Sequence, residues 1–171
     1  LNMEQLDSLR VKVVPDLDMS YEKQYNRHGK IGVTPDSVTI YGPKNIIESI
    51  DNVYTENLVL KNINSNVNVD VPLRLEEMTN ADTKNVNIKI NVEKFTEAVT
   101  NVKISHDYHK QLRLFPDKVK IKYIVYLSEY NIINENSFVV RIDTADISPE
   151  NNFLPIYLAD YPNNTKIISI E

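Results

Sequence analysis

The chain has no cysteine among its 171 residues, which excludes disulfides, thiolate metal centres and cysteine nucleophiles outright. A cysteine-free composition fits an oxidising extracytoplasmic space well and a reducing one too. Glycine is nearly as scarce. Gly29, Gly32 and Gly42 are the whole supply, and their spacing cannot form a phosphate-cradling loop. No serine sits in a nucleophile-elbow context. No apolar run approaches the roughly 20 residues that a membrane-crossing helix needs, and no signal peptide is present. Basic residues are scattered rather than blocked and the net charge is -5 at pH 7. Binding to nucleic acid by counterion release needs a basic face, and the composition suggests none.

What the chain does have is alternation. Apolar and polar residues take turns over Leu9 to Val14, Ser37 to Tyr41, Asn66 to Val71 and Asn85 to Val92. The same holds over Lys118 to Leu127, Ser137 to Ile142, Leu154 to Leu158 and Lys166 to Ile170. That period marks half-buried strands. One helical turn is expected at Pro43 to Ile50, with Pro43 in the first helical position and Ile46, Ile47 and Ile50 on one face. The fold class is all-β, with one or two short helical turns.

Candidate sites are few, and each has a plain structural reading. "HDYH" (His106 to His109) brings two imidazoles near a carboxylate, but positions three apart on a strand point to opposite faces. His28 stands apart. The run from Asp16 starts like a calcium loop, with Asp16, Asp18 and Ser20. It then places Tyr21 where the turn needs glycine and Arg27 where a bidentate glutamate belongs. Glu76 and Glu77 lie among polar loop residues and are read as ionised surface groups, since a general acid needs burial to raise its pKa. The ten tyrosines could stack on sugars or bases, but strand tyrosines commonly serve packing. Asn163-Asn164-Thr165 has the form of a glycosylation sequon and is read as a turn. No catalytic, cofactor-binding or metal-ligating residue is assigned, and no cofactor is expected.

The chain also repeats itself. Pro35-Asp36 recurs 81 residues on as Pro116-Asp117, and Pro72-Leu73-Arg74-Leu75 recurs 83 on as Pro155-Ile156-Tyr157-Leu158. Thr83-Lys84 recurs 82 on as Thr165-Lys166, and "VKV" at Val11 precedes the first copy as "VKI" at Val102 precedes the second. Near-constant intervals with small slips mean equivalent strands joined by loops of different length. Proline cannot donate to a ladder and suits a strand entrance, and the neighbouring aspartate closes the turn. The copies part after the first strand. There Gly42-Pro43 gives way to "YIVYL", so the second copy is expected to continue as a longer strand. The boundary is expected near Thr96 to Thr100, giving repeats over 1–98 and 99–171.

The unit formed by the Pro-Asp entrance, "SVTIYGP", the short helix, and strands ending in "VPL" resembles the YbbR-like domain. The stretch from Val11 to Leu60 is similar to a full first half of that repeat, and the chain from about Val102 resembles a degenerate, C-terminally truncated second one. The resemblance implies two tandem repeats with long crossing strands and an elongated shape. It implies a non-enzymatic, extracytoplasmic regulatory module held in the cell membrane by one anchor that is absent from this chain, whose first residue is Leu1. The implied partner is a membrane protein; family members regulate a membrane diadenylate cyclase that makes cyclic di-AMP. A cell-envelope adhesin or glycan-binding module is the alternative. Nucleic acid is not an expected partner.

Overall fold

The structure, a computed structural model, describes residues 6–106, 114–143 and 154–171. The chain divides into two compact units, Leu1–Glu93 and Lys94–Glu171. The 98/99 boundary read from the repeats falls inside a strand, because Val92–Ser105 is continuous.

In the first unit the strands are β1 (Leu6–Val14), β2 (Leu17–Tyr21), β3 (Tyr25–Arg27), β4 (Gly32–Thr34) and β5 (Ser37–Pro43). After the helix α1 (Lys44–Ile47) come β6 (Asn52–Thr55), β7 (Leu58–Ile63), β8 (Val67–Arg74), β9 (Asn80–Ala81) and β10 (Asn85–Ile90). Seven of them form one sheet in the order β4-β10-β8-β6-β1-β5-β9, and β2 pairs with β7 as a separate parallel ribbon. β1 is bonded on both sides. It runs antiparallel to β5, with Val11 opposite Val38 and Leu9 opposite Ile40, and parallel to β6, with Val13 beside Val53. Alternation then sends Val11, Val13, Val38, Ile40 and Val53 to one side, where they bury with Ile47 of α1.

Pro43 does not open the helix. It is the last residue of β5 and caps α1 in an extended conformation, φ -59° and ψ 133°. The reason lies in the pairing, which extends to Leu6 opposite Pro43 and keeps the chain straight one residue past Gly42.

The second unit is built on β11 (Val92–Ser105), β12 (Lys118–Tyr126), β13 (Val139–Ile142), β14 (Ile156–Asp160) and β15 (Lys166–Ile170), in the sheet order β14-β13-β11-β12-β15, with a 3-10 turn at Glu135–Ser137. β11 repeats the part played by β1. It runs antiparallel to β12, with Val102 opposite Val119, and parallel to β13, with Ile104 beside Val140. The next pairing matches as well: Thr55 lies opposite Leu73 in the first unit, and Ile142 opposite Ile156 in the second. The Pro-Asp corners make the same bond, the Val13 amide donating to the Asp36 carbonyl at 2.8 Å and the Ile104 amide to the Asp117 carbonyl at 2.9 Å. Both preceding peptide bonds, Thr34-Pro35 and Phe115-Pro116, are cis.

The third sequence match does not hold in space. The Lys84 carbonyl accepts from the Leu73 amide, next to β8, whereas Lys166 lies opposite Ile124 on β12. In the first unit the short β9 takes the edge beside β5 and the chain then goes on to β10, next to β8. In the second, β15 takes the corresponding edge and no strand follows it among the described residues.

Gly42 and Tyr123 occupy corresponding positions, opposite Asp7 and Ala98. Gly42 is not there for φ. A Cβ on it would stand 3.0 Å from the Met78 carbonyl oxygen and 3.4 Å from the Thr79 Cα, so the turn before β9 closes over a site with no side chain. At Tyr123 a ring fills that layer and packs on Phe138, with centroids 4.9 Å apart and planes tilted 53°. As expected from the sequence, the second copy runs on as a longer strand here, nine residues against seven.

Chemical denaturation should find Ile40→Ala less stable by about 2–5 kcal/mol, because the side chain is fully buried and its loss leaves a cavity. Gly42→Val should destabilise as well, through the Met78 and Thr79 backbone, while His106→Ala at an exposed site should stay within about 0.5 kcal/mol of the parent.

Candidate functional site

The calcium-like run is taken up by strand-to-strand bonds. The Asp16 amide donates to the hydroxyl oxygen of Thr55 at 2.9 Å, and Thr55 is completely buried. Of the Asp16 carboxylate oxygens, one accepts from the Asn57 amide at 3.1 Å and the other from Arg74 Nη1 at 3.4 Å. Asp18 on β2 accepts from Lys61 Nζ on β7 through both oxygens, at 2.8 Å each. Ser20 Oγ receives only a long contact from the Asn62 amide, 3.4 Å. The three oxygen donors therefore reach sideways to the neighbouring chain instead of converging on a point, and Tyr21 and Arg27 end β2 and β3.

His28 faces Glu93, Nδ1 to Oε2 3.2 Å, at a half-exposed site. His106 is exposed just past β11, and His109 lies outside the described residues together with the rest of that motif. Glu76 and Glu77 are exposed after β8, where the Glu76 carbonyl accepts from the Thr79 amide and hydroxyl to close the turn. Thr165 of the sequon turns its hydroxyl back to the Pro162 carbonyl at 2.7 Å, which makes the segment a tight turn with Asn163 exposed. The exposed tyrosines are dispersed. Tyr54 sits under Arg74, 5.9 Å from guanidinium carbon to ring centroid, while Tyr130, Tyr157 and Tyr161 stand apart on the second unit. The 54/74 pair edges an open cleft with Ile50, Asp51 and Glu76.

One arrangement contradicts the composition-level reading that no basic face exists. Lys118, Lys120 and Lys122 alternate with buried Val119, Ile121 and Tyr123, so all three project from the outer face of β12. Lys103 of β11 lies directly opposite Lys118, and Lys166 of β15 lies opposite Ile124 on that same face. The signal was visible as "KVKIK". It was missed because counting charge along a chain ignores which side of a strand each residue takes.

The family model for YbbR-like protein matches residues 11–122. The chain belongs to the YbbR-like family. Among solved structures, a YbbR-like protein from Streptococcus pneumoniae TIGR4 is similar over 100% of this chain and 91% of its own, at 14% identity and a TM-score of 0.44. No curated protein matches the chain. The YbbR-like match begins at Val11 on β1, runs through the first unit and ends at Lys122 on β12, so it takes in both Pro-Asp corners.

Within this YbbR-like chain, burial pushes the Tyr123 phenol above its ordinary value of 10.0, with Tyr130 adding to the shift. The unfolded chain therefore releases that proton first, and stability is full below the unfolded pKa and falls as pH rises through the folded one. An absorbance titration should show one tyrosinate forming late, above pH 10.0, and Tyr123→Phe should remove that late step.

Proposed function

We propose that this YbbR-like chain is a non-enzymatic interaction module of a membrane-anchored protein, displayed outside the cytoplasm, whose partner is a membrane protein. The observation that carries the reading is where the polar side chains go. Asp18 to Lys61, Asp16 to Arg74 and Asn57, and Asn87 to Asn68 and Asp70 each tie one strand or its flanking turn to another part of the sheets. They are used to hold a sheet, and the sheet presents its outer face. Catalysis calls for a different arrangement, in which a nucleophile, a base and a stabilising donor face one reacting atom. YbbR-like membership supports the non-catalytic part of the reading. The regulation of a membrane diadenylate cyclase, which the resemblance implies, is the first partner to test.

The experiment is affinity purification of the full-length gene product from detergent-solubilised membranes, with cyclic di-AMP measured in cells that do or do not express it. Retention of the cyclase together with a changed cyclic di-AMP level is the expected result. A cyclase that is not retained, with an unchanged nucleotide level, would remove that partner. Failure to retain any membrane protein would remove the interaction reading.

A further inference from the structure

We propose that the outer face of the second unit's sheet is a docking surface for anionic lipid headgroups. It carries Lys103 on β11, Lys118, Lys120 and Lys122 on β12 and Lys166 on β15. Arg141 of β13 lies beside Ser105, continuing the face past β11. Among the described residues, two of the five lysines are ion-paired: Glu97 bonds Lys122 at 2.7 Å, and Glu171 bonds Lys120 at 2.9 Å. Glu135 borders the cleft beside Lys103 and Lys118 without forming an ion pair with either. The Lys120 hydrogen bond and charge hold the Glu171 carboxyl below its ordinary range.

The shared register does not call for lysine at these positions. The corresponding first-unit strand β5 presents Ser37, Thr39 and Tyr41 on its outer face, in the same register that Lys118, Lys120 and Lys122 take on β12. Lys103 and Lys118 stand directly opposite each other, an arrangement of like charges that costs stability in a sheet. A chain of net charge -5 thus gathers positive charge on one face at a cost to folding, which points to a ligand that supplies the counter-charge.

The layout favours a membrane surface over a linear polyanion. The cations spread across four strands, about 4.8 Å apart, as well as along β12 at about 7 Å intervals, so they form a two-dimensional array rather than a single row, with one cleft beside Lys103 and Lys118. Exposed Val99, between Glu97 and Asn101, and exposed Tyr157, opposite Arg141, interleave with the charge. Aromatic and apolar groups of this kind settle at the headgroup boundary, where lysines meet anionic lipid. This assignment stands independently of the interaction reading above.

The test is sedimentation of the full chain with phosphatidylglycerol-containing vesicles, with pure phosphatidylcholine vesicles and a single-stranded oligonucleotide as comparisons. Binding to the anionic vesicles alone, weakened by added salt, is expected. Lys103→Gln with Lys118→Gln should lower partition roughly thirtyfold, at about 1 kcal/mol per lysine removed. The melting temperature of this double variant should not fall, since a repulsive pair is gone. Arg10→Gln with Lys12→Gln, on the outer face of the first unit, should leave partition unchanged. Equal binding to phosphatidylcholine, no binding to anionic vesicles at low salt, or undiminished binding by the Lys103/Lys118 variant would overturn the proposal. Binding to the oligonucleotide without binding to vesicles would overturn it as well, making the face one for a linear polyanion.

Discussion

Each unit depends on one strand that is hydrogen-bonded on both sides, antiparallel to one neighbour and parallel to the other. β1 holds β5 and β6 in this way, and β11 holds β12 and β13. Because side chains alternate strictly, a slip of one residue in either pairing would turn every buried valine and isoleucine to solvent. The register is pinned at the Pro-Asp corner, where proline offers no donor and the aspartate carbonyl takes the Val13 or Ile104 amide. Everything else is arranged around that strand. Buried Thr55 ties the end of β6 to the Asp16 amide, α1 closes one side of the first core with Ile47, and Tyr123 on Phe138 fills the equivalent layer of the second.

The alternation that this constraint requires is also what made the fold readable. The long strands β1, β5, β8, β10 and β12 could be read from period two, and all-β is the fold found. β4, β6 and β9 could not, because two to four residues are too few to display a period. β2 was hidden behind its resemblance to a calcium loop, since aspartates that reach across to Lys61, Asn57 and Arg74 look in sequence like aspartates waiting for a cation. β7 ends irregularly, with Asn62 at φ 53° and a register shift against β2, and so lost its pattern. The Thr83-Lys84 match failed because short polar turns look alike wherever they occur. Gly42 lies under Met78 and Thr79, which come from a turn that local sequence could not place.

Function is less legible for a related reason. The motifs that carry the family resemblance, the Pro-Asp entrance, "SVTIYGP" and "VPL", shape strands and turns and have no chemistry of their own to report. The two units also differ on the outer face of one corresponding strand, serine, threonine and tyrosine in β5 against three lysines in β12. The core positions between them change little: Val38 and Ile40 correspond to Val119 and Ile121. The scaffold is kept and the displayed chemistry differs.

The shared register is open to a direct measurement, and the absence of native cysteine makes it a clean one. Arg10 lies opposite Thr39 and Asn101 opposite Lys120. Both are non-hydrogen-bonded antiparallel pairs, whose Cα atoms stand about 4.5 Å apart, within the range of a disulfide. Two double variants, Arg10→Cys with Thr39→Cys and Asn101→Cys with Lys120→Cys, should each oxidise to a single intramolecular disulfide, seen as two fewer hydrogens in the intact mass. If either pair stays reduced while a variant offset by one residue, such as Arg10→Cys with Val38→Cys, closes instead, the register common to the two units is wrong and the account built on it fails.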